Sequence, residues 1–272
     1  MDVFRLFRFS HVTVCVLVAA SFAQQPTPDS AKTEVLWHEV RAVSPTMVVL
    51  PSGFDASKSY PLVVALHGYG STSEAFSHIA PPLTRAGFIV ALPESPYAIL
   101  VDGQIGYDWT LHSQHDRALS KQVTSLTVAD QIPAVIAQVR EKYPIDRVYV
   151  LGFSQGSVLA LLAGVFESAE IDAVVAFGLP TFRTSWFPGQ TLAKGADVRV
   201  LLVHGTQDVI ASAPISREAR DALATAGYKV ELRSFTGAHG VPSDEVGYAA
   251  EWLSKVPRRA ADTLDKNDST NH

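Results

Sequence analysis

Arg147-Val148-Tyr149-Val150-Leu151-Gly152-Phe153-Ser154-Gln155-Gly156, continued by the apolar run 157–164, decides the fold. Residues 147–151 are β-branched, aromatic or aliphatic after the first and predict a buried strand, whereas 157–164 predict a helix. The turn between them is so short that the positions two before and two after the serine need to be small. Both are glycine, Gly152 and Gly156. Such a turn lifts the Ser154 hydroxyl to the top of a sheet, beside a helix N-terminus that favours developing negative charge.

Outward from this unit, near-continuous apolar runs recur at 62–66, 88–92, 173–177 and 198–204, with a further strand at 228–235. Runs of this kind fit strands covered on both faces of a parallel sheet. Helical patterns separate them at 73–86, 126–143, 157–167, 212–226 and 243–254, with Pro133 expected to kink the second or mark its start. Gly87 and Gly227 stand where helix C-terminal caps are expected. Segments 39–43 and 47–50 read as a short antiparallel pair. The alternation predicts one α/β domain, a doubly wound, mostly parallel sheet with helices on both faces.

The chain has 272 residues, 47% of them hydrophobic and 18% charged, enough to bury a large core. Its formal charge of −5, with no dense basic run, disfavours nucleic acid as a partner. A single cysteine, Cys15, excludes a disulfide framework and any cysteine-based metal centre. Arg5 and Arg8, the apolar stretch 12–20 and the small residues Ser21 and Ala23 have the layout of a secretory signal peptide at 1–23, cleaved after Ala23. The mature protein is then expected to be secreted or periplasmic, cysteine-free and without stable membrane insertion. Residues 24–33 predict a flexible start and 258–272 a disordered polar tail.

A serine hydroxyl becomes a nucleophile only when a neighbouring base takes its proton, and that base needs an acidic partner. Asp208 follows the strand at 198–204 and His239 follows the strand at 228–235, so all three groups fall at one sheet edge, in the order serine, acid, histidine. Asp172 and Asp197 lie at the wrong ends of their strands. An oxyanion also needs two N–H donors. The turn His67-Gly68-Tyr69-Gly70 after the strand at 62–66 offers the N–H of Tyr69, and the helix start offers that of Gln155. A dinucleotide-binding loop is excluded there, because Ser73 occupies the last glycine position of G-x-G-x-x-G.

These four segments together, with Gly152-Phe153-Ser154-Gln155-Gly156 the most specific, resemble the phospholipase/carboxylesterase family of the α/β-hydrolase superfamily, which includes acyl-protein thioesterases. The resemblance spans about residues 45–256 and implies an α/β-hydrolase catalytic domain at 34–257 without a large lid domain. It further implies cofactor-free cleavage of carboxylic ester or thioester bonds in a small-molecule ester substrate, with Ser154, Asp208 and His239 as the triad. Two segments depart from the family pattern: Ser71-Thr72-Ser73-Glu74, where Gly-x-x-Asp is frequent, and 95–120.

Trp109, Trp186 and Phe187 lie in aromatic-rich loops at the same edge and either line a substrate pocket or simply cover the end of the sheet. His112 and His115 lack a third ligand in sequence, so no metal is expected. A serine peptidase, a thioesterase and a non-catalytic binding protein are the rival readings on this fold.

Overall fold

The computed structural model describes residues 43–111, 117–166, 170–182 and 197–257, together with the backbone of 13–14 and 40–41. The leader at 1–23 (apart from that one strand), the start at 24–33, the tail at 258–272, the pair His112 and His115, and Trp186 and Phe187 lie outside the described residues.

Among the described residues, eleven strands and seven α-helices alternate along the chain. Two-residue strands Thr13–Val14 (β1) and Val40–Arg41 (β2) pair with each other. The main sheet contains Thr46–Val49 (β3), Tyr60–Leu66 (β4), Ile89–Pro93 (β5), Ile145–Phe153 (β8), Ala173–Phe177 (β9), Arg199–Gly205 (β10) and Lys229–Phe235 (β11). Tyr97–Val101 (β6) and Gln104–Asp108 (β7) form a separate hairpin. The helices are Ser73–Phe76 (α1), Ala80–Arg85 (α2), Arg117–Leu126 (α3), Ile132–Lys142 (α4), Gln155–Phe166 (α5), Ala213–Thr225 (α6) and Ser243–Ser254 (α7).

The seven-stranded sheet runs β11-β10-β9-β8-β4-β5-β3. All neighbours are parallel except β3, which closes one edge antiparallel to β5. Strands 46–49 and 40–41 therefore do not pair with each other as expected. The apolar residues of β3 find their partner in β5, where Val48 lies opposite Ala91.

Successive residues of β4 feed two cores. Leu62, Val64 and Leu66 pack with α4, α5 and α6 through Ile136, Leu159 and Leu223. Val63 and Ala65 pack with α2 and α7 through Leu83, Val246 and Leu253. Burying each such large side chain stabilises by roughly 1.5–3 kcal/mol. Covering both faces is what makes these strands read as unbroken apolar runs.

Two expected helices are interrupted. The pattern at 73–86 divides into α1, a 3₁₀ turn at Ser77–Ile79 and α2, which restarts with Pro81 and Pro82 in its first turn. Proline suits that position because its missing N–H has no acceptor there. The pattern at 126–143 begins earlier, with α3, and reaches α4 through a π-helical turn at Thr127–Gln131. Pro133 lies just after that turn, where the wider backbone makes room for its ring against the preceding carbonyls. Gly87 and Gly227 end α2 and α6 with φ of 89° and 96°, as caps do.

The β6–β7 hairpin, within the stretch that departs from the family pattern, turns on Asp102 and Gly103, both at positive φ (49° and 78°). That is the mirror-image turn that suits the twist of paired strands. It docks on the turn after β4, with the Gly70 N–H donating to the Tyr107 carbonyl at 2.9 Å and the Tyr107 N–H to the Ser71 carbonyl at 3.0 Å.

Candidate active site

β8 passes into α5 through Ser154, whose φ of 51° is left-handed. For a residue with a side chain this costs roughly 1–2 kcal/mol. The strain follows from how closely strand and helix approach. A Cβ on Gly152 would lie 2.1 Å from the Gly156 oxygen, and one on Gly156 would lie 2.3 Å from the Leu66 oxygen and 2.6 Å from that of His67. Both smallness requirements of the turn are thus backbone contacts. The Ser154 N–H donates to the Phe177 carbonyl at 3.0 Å, and the Ser157 hydroxyl donates to the Ser154 carbonyl at 2.6 Å.

The acid and base loops meet because β10 and β11 pair in parallel register, Gly205 opposite Phe235. Beyond the last rung, the Thr206 N–H donates to the Phe235 carbonyl and the Gln207 N–H to the Gly237 carbonyl, each at 2.8 Å. Asp208 and His239 are therefore delivered side by side. Nδ1 of His239 lies 2.7 Å from Oδ2 of Asp208, whose side chain is 1% exposed against 10% for the imidazole. The other carboxylate oxygen accepts the N–H groups of Ile210 (2.9 Å) and Ala211 (2.8 Å). Burial opposes charge on Asp208, yet the Ala211 N–H, the His239 ring and the Ile210 N–H together outweigh it and hold the pKa below the ordinary 3.8.

His239 lies over Phe153, with ring centroids 4.7 Å apart, so its imidazole sits against the residue that precedes Ser154. A Cβ on Gly178 would come within 3.0 Å of the same imidazole, so only a bare backbone fits beneath it. On the other side, a Cβ on Gly68 would touch Ser154 Cβ at 3.5 Å, which places the turn carrying Tyr69 directly beside the serine. Gln155 is the first residue of α5, whose N–H has no acceptor within the helix. The structure brings Ser154, Asp208, His239, Tyr69 and Gln155 to one edge of the sheet. Asp172 is at the opposite edge, accepting the Val148 N–H at 2.9 Å near the start of the strands.

Trp109 is placed differently from the expected pocket wall. It is fully buried, its indole N–H donates to the His67 carbonyl at 2.9 Å, and its backbone N–H donates to the Gln155 side chain at 3.1 Å. No part of the ring is left to meet a substrate. The exposed apolar side chains on the loops and hairpin at this edge are instead Tyr69, Leu100, Ile105, Val209 and Ile210.

A buried polar network behind the serine was not anticipated from the sequence. The Gln155 amide donates to Asp108 Oδ1 at 2.6 Å and to the Thr110 hydroxyl at 2.9 Å, tying the elbow to the end of the hairpin. Glu94 and His67 continue it beneath the turn that carries Tyr69. The one signal for the hairpin was the Asp102-Gly103 pair between apolar residues. Among the described residues no group of three or more His, Cys, Asp or Glu side chains is arranged to hold a metal, and no helix is long and apolar enough to cross a membrane.

Two substitutions test this geometry. Gly156→Ala is expected to destabilise the fold by about 1–3 kcal/mol, read as a lower urea midpoint at unchanged slope, because its methyl displaces the end of β4. Asp208 carries a pKa lowered by folding, so its stabilising contribution is complete above the ordinary 3.8 and is lost as pH falls from there through the folded-state value. Wild type should thus exceed Asp208→Asn in stability at neutral pH, by a margin that closes in acid. Unfolding curves separated equally at every pH contradict this.

Comparison with known proteins agrees with this architecture. Residues 54–257 match the family described as phospholipase/carboxylesterase. Acyl-protein thioesterase 1 of Neurospora crassa is 23% identical over 127 residues, 45% of this chain and 51% of that protein. The chain thus spans about half the length of that curated relative. Among solved structures, esterase PE8 superposes with a TM-score of 0.64 at 21% identity, covering 79% of this chain and 100% of its own. The Bacillus cereus carboxylesterase gives 0.61 at 20%, covering 79% and 96%. The Zea mays acyl-protein thioesterase 2 gives 0.61 at 20%, covering 78% and 98%. At these identities the superpositions speak for the fold alone.

Proposed function

The chain belongs to the phospholipase/carboxylesterase family of α/β hydrolases, and from that premise we propose a secreted serine esterase that cleaves carboxylic esters through an acyl-enzyme on Ser154. One observation carries the reading. The strained serine at the head of α5 shares its sheet edge with an imidazole that rests on Phe153 and whose Nδ1 is held by a buried carboxylate at 2.7 Å. A serine used only for packing has no need of a left-handed backbone.

In this mechanism Asp208 holds the proton of His239 on Nδ1, leaving Nε2 as the base. Ser154 Oγ attacks the acyl carbonyl as its proton passes to Nε2. The oxyanion is met by the N–H groups of Tyr69 and Gln155, each such donor worth roughly 3 kcal/mol in the transition state. Collapse of the tetrahedral intermediate expels the alcohol, which takes the proton from Nε2. Water, deprotonated by the same nitrogen, then releases the acid and regenerates the serine.

The exposed apolar set Tyr69, Leu100, Ile105, Val209 and Ile210 supports an ester whose acyl group is apolar. A thioester meets the same attack, and the resemblance to proteins called acyl-protein thioesterases makes it the second substrate class to try. Export is proposed on the layout of residues 1–23 alone.

Hydrolysis of p-nitrophenyl esters from acetate to long acyl chains, with an acylthiocholine series beside it, tests the chemistry. Wild type is expected to turn over esters. Ser154→Ala is expected to lose at least about 10⁴-fold in kcat. Equal inactivity of both proteins across the series would leave a binding protein or a narrow peptidase in its place. For export, N-terminal sequencing of protein recovered outside the cytoplasm should begin at Gln24, and recovery only from the cytoplasm with an intact leader removes the proposed location.

A further inference from the structure

The turn that carries Tyr69 contains Gly68 and Gly70, residues with no side chain to hold their own backbone. An oxyanion donor on such a turn must nevertheless be aimed before the substrate arrives, since preorganisation is what makes it effective. The structure supplies the aim from behind.

His67 directly follows β4, and its imidazole is 1% exposed. Its Nδ1 lies 2.8 Å from the carbonyl oxygen of Gly68, the next residue, which also accepts the Ser71 N–H at 3.2 Å across the turn. A carbonyl can only accept, so Nδ1 carries the hydrogen. That carbonyl belongs to the same peptide group as the N–H of Tyr69, and among the described residues no peptide is cis. In a trans peptide the N–H and C=O point in opposite directions. Holding the oxygen down on His67 therefore turns the Tyr69 N–H the other way, and the turn lies beside Ser154.

The imidazole is itself held. Its Nε2 lies 3.1 Å from Oε1 of Glu94, a contact that holds the ring through a proton carried by one of the two atoms, and the Ser95 N–H lies 3.3 Å from the same nitrogen. Glu94 is 8% exposed and its carboxyl also accepts the Ser73 N–H (3.0 Å) and hydroxyl (3.1 Å), which fixes it against the start of α1. The flanking peptides are pinned too, that of His67 and Gly68 by the Trp109 indole and Gly70 by the Tyr107 carbonyl. Neither Glu94 nor His67 has any part in the proton transfers described above.

We propose that Glu94, acting through His67, is a positioning residue for the oxyanion step: the buried carboxyl orients the imidazole, and the imidazole sets the direction of the Tyr69 N–H. The inference rests on the reading of Ser154 as the acyl-accepting serine.

Kinetics on the p-nitrophenyl ester that wild type prefers, together with inhibition by a trifluoromethyl ketone of similar shape, test it. Such a ketone adds to the serine and leaves an oxyanion in the same place. Glu94→Leu, which has the same reach but neither donor nor acceptor, is expected to lose about tenfold in kcat with KM within about twofold, and the inhibition constant should rise in proportion to the loss in kcat/KM. Two substitutions of His67 separate aiming from mere filling of space. His67→Asn keeps a donor near the Nδ1 position and should retain most of the activity. His67→Gln places its amide near Nε2, loses the bond to the Gly68 carbonyl, and should lose tenfold or more. Thermal melts confirm that each compared variant is folded, and the histidine pair carries the comparison if Glu94→Leu is not. Wild-type kcat in Glu94→Leu, equal losses in the two His67 variants, or losses confined to KM overturn the proposal while leaving the esterase standing. A wild type that turns over no ester and does not bind the ketone overturns both.

Discussion

The site depends on a close contact between backbones. The head of α5 lies under the carbonyls of Leu66, which ends β4, and of His67, near enough that a single methyl on Gly156 has nowhere to go. This approach brings the turn after β4 and the turn after β8 together, and it leaves Ser154 only a left-handed conformation. The cost is small beside what the two cores on either face of the sheet contribute, so the fold tolerates it. The acid and base loops need no comparable device. They are carried into place by the parallel register of β10 and β11.

How much of this was legible in the sequence depended on whether a feature leaves a local mark. The elbow did, because its two glycines answer a steric demand at fixed spacing. Asp208 and His239 did, because each follows an apolar strand and the strands run parallel. Trp109 was open to two readings, since an aromatic residue near a sheet edge has the same appearance whether it faces a pocket or the core. Its burial is decided by the His67 carbonyl, which is distant in sequence. Pairing of β3 with β5 is likewise non-local, and a pattern of alternating residues does not name its partner. The interruption near Pro133 was half visible, since the proline marks a break but not that the chain answers with a π turn, whereas the 3₁₀ turn before Pro81 divides a stretch that reads as one helix. Glu94 left no trace at all, a lone acid after a strand, given meaning only by the imidazole beside it.

The two histidines of the site are used in opposite senses. His239 is held by a carboxylate at Nδ1, so its Nε2 is the nitrogen turned to chemistry. His67 meets a carboxyl at Nε2, so its Nδ1 is turned to the backbone. In the proposed roles a histidine–carboxyl pair serves once where a proton moves and once where a peptide is held still, and the difference is which ring nitrogen the acid takes. Gln155 adds a third tie, from the elbow to the hairpin, so the serine, the turn beside it and β7 share one hydrogen-bonded frame.

The strand order also governs when the molecule comes together. β4 lies beside β8, although the chain between Leu66 and Ile145 must first build β5, a hairpin and several helices. Contacts so far apart in sequence bring their reward only after the entropy of closing the intervening loop has been lost, and parallel sheets fold slowly for that reason. The meeting of Gly68 with Ser154 therefore belongs to the end of folding. Helical signal recovers early in a refolding experiment on such a chain, and the assembled serine site recovers late.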